Sequence, residues 1–404
     1  MDLKSGYPFW AVKNGLMHAF EPLRTDARCD VAIIGGGISG ALIAEELASA
    51  GHDVIVLEQR DIGWGSTSAS TALLQFEIDN HLTDLAETLG EADAVLAYRS
   101  CVDAIGMLEA LAKGLEETGF EGRDSLYYAS RKRDSAPLAD EFNLRKQHGF
   151  DVDWLSGNDV QERYGFAAPG AILNRPAACV DPYRLTYRLL TRLQSQGVRV
   201  HDRTTVAQLH ADAQSVELVL EDGTRVHANQ VVIAAGYEGQ RFLPQRVATN
   251  HSSYAFVTDP IDRESLGALN QTLMWETARP YLYMRTTADD RLLVGGEDDR
   301  VDIPGRRDAR VDRKARSLAK KAQKLFPHLK VEPTFSWAGT FAETADGLPY
   351  FGPHPATGPR VHFAMAYGGN GITYSMLGAG LLRALIERRP HALSPLFTFE
   401  RLAD

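Results

Sequence analysis

DVAIIGGGISGALIAEELASAGHDVIVLE, residues 30–58, reads as a buried strand, a glycine turn, a helix ending near Gly51 and a second buried strand. Within it, Gly35-x-Gly37-x-x-Gly40 gives each glycine a task. One makes a tight turn, one lets backbone approach a pyrophosphate, and one lets the helix pack close on the strand. Ser39 lies inside this turn, where the free N–H groups and dipole of the helix amino terminus favour an anion. Glu58 closes the second strand, where an acid accepts ribose hydroxyls and disfavours a 2′-phosphate. A lone glycine triplet is a weak signal and is often a mere loop. Strand, helix, second strand and terminal acid together predict a dinucleotide site.

Downstream comes QRDIGWGSTSASTALLQ (59–75), a run of small and hydroxyl residues. Here Gln59, Gly65, Ser66, Thr67 and Ser68 could reach a second phosphate and the polyol chain of a flavin, or the run is a flexible Ser/Thr linker. Residues 81–117 carry one long helical pattern, with Val95, Val102, Ile105, Leu108, Leu111 and Leu115 at mostly three- and four-residue spacing. Strand signals follow at 126–130, a helix at 182–197, a hairpin turning at Asp222-Gly223, and a strand in QVVIAAG (230–236). Residues 253–297 change to aromatic-rich strands, and 313–325 read as a helix stopping before Pro327. Last, strand 361–366 meets Gly368-Gly369-Asn370-Gly371 and a helix over 372–388. That helix amino terminus could stabilise negative charge on a reduced flavin, or the glycines make only a tight turn.

The chain has 404 residues, long enough for roughly two domains, and its 44% apolar and 24% charged residues fit a globular protein. No apolar run reaches the ~18 residues of a membrane span, so no transmembrane segment and a cytoplasmic location are expected. A net charge of −10 without a basic stripe argues against nucleic acid. Cys29, Cys101 and Cys179 show no CxxC spacing, so neither a disulfide framework nor a metal site is expected.

Several motifs, in order along nearly the whole chain, resemble the D-amino-acid oxidase, glycine oxidase and sarcosine oxidase superfamily of FAD-dependent oxidoreductases. DVAIIGGGISG resembles its FAD fingerprint, GWGSTSAS its G-x-G-[AS]-S-type segment, VDPYRL (180–185) its V-D-P-x-x-L, and VVIAAG its A-x-G strand. Trp337-x-Gly339 with ETADGLPYFG (343–352) and the closing GGNGIT resemble further family segments. The chain is also similar to the flavin part of bacterial proteins that carry a carboxy-terminal Rieske domain, which is absent from this sequence. The resemblance implies FAD contacts at Gly35, Gly37, Ser39, Gly40, Glu58, Gln59, Gly65, Ser66, Thr67 and Ser68, and at the adenine-side Val206. It also implies contacts at Ala235, Gly236, Gly339, Gly369, Asn370, Gly371, Ile372 and Thr373.

Three departures bear on chemistry. Phe341 stands where amino-acid oxidases of this family place an arginine for the substrate carboxylate. No cysteine follows Cys179 and no histidine lies in 59–80, so FAD is expected to be non-covalent. No lysine lies between Lys146 and Lys314, where family members use one beside the flavin to activate oxygen, which favours a dehydrogenase passing electrons to a carrier. In PYLYMR (280–285), period-two alternation puts Tyr281, Tyr283 and Arg285 on one face. Tyr283 could close over a small substrate and Arg285 could pair its carboxylate, or both are structural. Trp275, Glu276, Tyr254 and His251 are weaker candidates, and Glu343 and Asp346 are expected to shape a loop.

The expected fold is α/β: a discontinuous Rossmann-like FAD-binding domain plus a mixed-sheet α+β substrate domain. The FAD domain is expected over 25–75, 176–245 and 335–390, the substrate domain over 76–175 and 246–334, and an amino-terminal extension over 1–24. The implied chemistry is oxidation of the C–N bond of a small amine or amino acid, with oxygen or a quinone-type carrier as electron acceptor. Two alternatives stay open: an FAD-dependent 2-hydroxy acid or polyol dehydrogenase, and a flavin-binding partner subunit without its own turnover.

Overall fold

Val31 to Ile34 and Val54–Leu57 are buried along their length, as apolar runs must be when helices cover both faces of a parallel sheet. In the computed structural model, which describes residues 2–301, 303–365 and 367–403, these runs are neighbours at the centre of the first sheet. Its strand order is Tyr350–Pro353, Val361–Met365, Arg225–Ile233, Ala27–Ile34, Val54–Leu57 and Arg199–His201. All those pairings are parallel except the first. The hairpin Val206–Ala211/Val216–Leu220 is added on Arg225–Ile233. Helix Ile38–Ser49 packs against helices Pro182–Ser195 and Gly371–Ile386. This is the Rossmann-like layer expected from residues 30–58.

The second sheet runs Phe335–Glu343, Thr249–Pro260, Arg291–Asp299, Leu282–Thr286, Thr272–Glu276, Glu121–Tyr128, Gly170–Cys179 and Leu73–Leu74. Asp151–Ser156 joins it on Gly170–Cys179. Thr272–Glu276 pairs in parallel with Glu121–Tyr128 among antiparallel neighbours, so the sheet is mixed. Alternation divides its side chains. Tyr128, Phe256, Met274 and Met284 pack under helix Val311–Leu325, while Tyr127, Ala255, Trp275 and Trp337 face the first layer.

Sheet membership departs from the expected ranges in three places, the first being residues 176–179, which end strand Gly170–Cys179 of the second sheet. Phe335–Glu343, placed with the nucleotide segments on sequence, pairs with Thr249–Pro260 in the second sheet. Leu73–Leu74 also belongs there. The single helix expected over 81–117 is two, Leu82–Leu89 and Glu91–Lys113, because Gly90 takes a positive φ of 86° between them. The 1–24 segment does more than pack on the first domain. Lys4 bridges to Gly339, and Thr340 donates its N–H to Leu3 O at 2.8 Å, so residues 3–5 cover the free edge of Phe335–Glu343. Buried Arg307 fixes this seam by donating to Asp2 O and to Thr340 Oγ1. No described helix is long and apolar enough to cross a membrane.

Candidate active site

In a parallel sheet, ligands bind beyond the carboxyl ends of the strands. Gly35 follows the first strand, Glu58 the second, Ala234–Gly236 the central strand and Tyr367 the strand Val361–Met365, and all of them line one cavity. Gly35 has φ +121°, and a Cβ there would lie 2.4 Å from Ala234 O. A Cβ on Gly40 would lie 1.9 Å from Gly35 O, so the third glycine serves helix–strand packing and does not line the cavity. Gly37 is the cap residue of helix Ile38–Ser49 and has no side chain of its own to cap it. Thr67 Oγ1 accepts the Ile38 N–H at 3.0 Å, tying the 59–75 run to the helix start. That run is therefore structured as part of the nucleotide turn.

Glu58 accepts the Gly36 N–H at 2.8 Å and the Arg60 N–H at 2.9 Å. Burial raises its pKa, opposed by these two N–H groups and by Arg60. Gln59 donates to Glu238 at 2.7 Å, which fixes the start of the run on the loop after the central strand. Ser39, Gly65, Ser66, Val206, Ala235, Gly236 and Gly339 all face the cavity. Gly369, Asn370, Gly371, Ile372 and Thr373 form its far wall, where Asn370 Nδ2 donates to Glu77 O at 2.7 Å. Glycine turn, helix terminus, ribose-side acid and second glycine loop thus share one cavity, and this set fits FAD. No Cys or His is among the described lining residues, and the three cysteines are buried and unpaired. Glu58→Ala is expected to weaken FAD affinity by about 1.5–3 kcal/mol, read as the Kd for reconstitution of apoprotein.

Besides Gly40, two expected residues fall elsewhere. Ser68 is buried and donates to Gly65 O and Trp64 O, closing its own helical turn instead of facing the cavity. Arg285 lies on the Tyr283 face as alternation requires, yet it is 2% exposed and does not line the cavity. Its guanidinium donates to Thr71 O at 2.7 Å, Val180 O at 3.0 Å and Thr286 O at 3.2 Å. Burial lowers its pKa, with partial compensation from neighbouring Cys179 and Asp181. Arg285 is a strut between segments, and the carboxylate-pairing role expected of it is corrected.

Tyr283 does face the cavity. Its ring lies over Gly295, where a Cβ would meet it at 2.2 Å, and its hydroxyl is 2.9 Å from Ser253 Oγ. Trp275, Tyr281, Tyr237 and Phe341 complete an aromatic wall. Three carboxylates stand in this wall: Asp79, Asp298 and Glu343. Asp79 Oδ2 accepts the Gly369 N–H at 2.9 Å. Glu343 shares a strand face with Gly339 and Phe341, and His251 Nε2 lies 3.4 Å from its Oε2 behind the wall. Asp298 arrives through a bulge in which Gly296 and Glu297 take positive φ. Burial, then the charges of Asp79 and Glu343, push its carboxyl up to about 7 against the bond from Ser253.

Sequence reasoning missed Asp79 and Asp298, and it also missed Leu3, which lines the cavity from the amino terminus. The signal for Asp298 was GGEDD itself, a double glycine inside a strand. Of the weaker candidates, Trp275 and Tyr254 line the cavity, while Glu276 bonds Ser130 outside it. Asp346 shapes its loop through Thr344, Leu348 and Arg401. No lysine lines the cavity among the described residues, although buried Lys4 lies 4.0 Å over the ring of Trp64, which does.

Known proteins resemble this chain in sequence and fold. The chain is 28% identical over 380 residues to the glycine oxidase of Geobacillus kaustophilus (strain HTA426), covering 90% of this chain and 94% of the relative. It is 24% identical over 391 residues to the gamma-glutamylputrescine oxidoreductase of Escherichia coli (strain K12), covering 94% and 88%. The crystal structure of glycine oxidase from Geobacillus kaustophilus superposes with a TM-score of 0.76 at 24% identity, over 92% of this chain and 98% of that one. Residues 30–385 match the FAD dependent oxidoreductase (DAO) family, and with the glycine turn, Glu58 and the Gly369–Thr373 loop converging on one cavity, the chain belongs to that family of flavoenzymes.

Proposed function

We propose that this enzyme oxidises the C–N bond of a small amine or amino acid and passes the electrons to a quinone-type carrier in preference to oxygen. The observation that carries the reading is a wall beside the Gly369–Thr373 loop where aromatic rings and three carboxylates meet, while the two arginines of the lining, Arg60 and Arg241, belong to segments at the nucleotide end. Such a surface attracts an ammonium group, which amines and amino acids both carry. The relatives named for glycine and gamma-glutamylputrescine support it, since both molecules offer a carbon beside nitrogen.

FAD, when bound, supplies the two-electron acceptor for the hydride that leaves the α-carbon, and the resulting imine hydrolyses to a carbonyl compound and the freed amine or ammonia. The chain's part is to fix geometry and exclude water. Tyr283 is held by Gly295 below and Ser253 at its hydroxyl, so its ring can press a substrate towards the glycine loop. Asn370 is locked on the carbonyls of Gln75 and Glu77, which fixes that loop against the second sheet.

The test is steady-state turnover on a panel of amines, amino acids, 2-hydroxy acids and polyols with a quinone acceptor. Ammonia or a shortened amine with a carbonyl product from the first two classes is expected; oxidation confined to the hydroxy compounds refutes the proposal. A fixed positive charge stabilises the first electron transfer to oxygen. Without a lining lysine, the quinone is expected to outrun air by about tenfold or more. Equal rates would make the enzyme an oxidase.

A further inference from the structure

Asp79, Asp298 and Glu343 come from three distant segments, yet they share one wall with Trp275, Tyr281, Tyr283 and Phe341. The cations in the lining, Arg60 and Arg241, belong to segments at the nucleotide end, and Arg60 is already paired with Glu238. Phe341 holds the place where the resemblance implied a carboxylate-binding arginine. One buried acceptor in this wall has no partner, Asp298 Oδ1; the indole N–H of Trp275, a residue only 6% exposed, also lacks one but is a donor that a cation does not satisfy. An unpaired buried acceptor is costly unless a ligand satisfies it. Among the described residues no three His, Cys, Asp or Glu side chains converge as metal ligands do, so the acids are spread around the wall. That spacing suits an organic cation better than a metal ion, and stacked aromatic faces supply the rest of the attraction. Tyr127 stacks behind Trp275 at 3.7 Å and stiffens the wall.

We propose that this end of the cavity is a cation subsite selecting amines that carry a second, non-reacting ammonium group, with Asp298 as its anchor and Glu343 and Asp79 beside it. The proposal rests on the amine reading above, because it names which amines that site prefers. A diamine or polyamine would place one nitrogen at the reacting position and the other against Asp298. Arg279 stands outside, stacked over Tyr281 at 3.4 Å and donating to Asp79 O, and His251 stands behind Glu343. Asp298 itself is faced by Ser253, Asp79, Glu343 and the more distant Lys314. With its carboxyl near 7, affinity for the dication is expected to rise as pH increases through neutrality, because the ionised form is the one that attracts it.

The experiment uses the flavin-loaded enzyme and two readouts. Diaminobutane, butylamine and aminobutyrate are compared as substrates. Binding is measured by calorimetry with the fully N-methylated dication of diaminobutane and with butyltrimethylammonium; neither has the lone pair that oxidation needs. The diamine is expected to exceed butylamine and aminobutyrate in kcat/KM by about 10- to 100-fold, and the dication to bind tighter than the monocation by about tenfold or more. Both preferences are expected to collapse in Asp298→Asn and to shrink in Glu343→Gln, which guards against one variant failing to fold. Equal handling of the mono- and dications, or a preference that survives both substitutions, overturns the subsite. Dication binding without oxidation of any amine would leave the subsite standing and refute the amine reading; amine oxidation without dication preference would do the reverse.

Discussion

Gly37→Val is expected to yield folded protein without flavin. Gly37 faces the cavity at the cap of helix Ile38–Ser49, and even its bare Cβ would lie 3.0 Å from Thr67 Oγ1. A branched side chain would fill the space through which backbone approaches a pyrophosphate and would push away Thr67, which holds the Ile38 N–H. Absorbance of the purified variant checks this: colourless protein with an unchanged far-ultraviolet spectrum is expected, and wild-type flavin content would show that this loop does not hold the cofactor.

The second large effect is on stability, at a place far less conspicuous in the sequence. Glu141 and Arg145 are both 0% exposed and pair at 2.7 Å one helical turn apart. Glu141 also accepts the N–H groups of Leu82 and Thr83, capping helix Leu82–Leu89, and Arg145 reaches Asn174 in the second sheet at 2.8 Å. Glu141→Ala would leave a buried guanidinium without its counter-charge and two buried donors without an acceptor, so a loss of about 3–5 kcal/mol is expected in urea unfolding. Glu141→Gln, which keeps an acceptor, is expected to lose less. Burial alone would raise the Glu141 pKa, yet Arg145, His81 and the two N–H groups hold it below the usual carboxylate range. Its contribution is therefore present above the unfolded carboxylate pKa and is lost as pH falls through the lower folded one. Loss of that segment would also reach the cofactor site, since the neighbouring carbonyls of Gln75 and Glu77 hold Asn370.

The nucleotide half was legible because its constraints are local. Continuous apolar runs, a glycine triplet and a terminal acid fall within residues 30–58, and period alone assigns each element. The three acids of the cavity wall were less legible, because strand pairing brings Asp298 and Glu343 together on either side of Thr249–Pro260 and a distant loop adds Asp79. Asp298 reads in sequence as one acid of a polar turn, and only the bulge at Gly296 turns it inward. The Glu141–Arg145 pair reads as an ordinary exposed helix pair until the burial of both is seen. Arg285 shows the converse: alternation placed it on the right face, but proximity to the carbonyls of Thr71 and Val180 decided what it does there. Amino-terminal Leu3 carried no signal, since joining a sheet edge depends on which edge stands free.

On the proposed function, one cavity joins an FAD site to a site for a carbon beside nitrogen. Anaerobic titration of the wild-type holoenzyme tests it most directly, with amines, amino acids, 2-hydroxy acids and polyols each followed by loss of the visible flavin absorbance. Bleaching by amines or amino acids, with the FAD afterwards released intact by acid, is the predicted result. Bleaching by hydroxy compounds alone, or by no member of the panel, would contradict it.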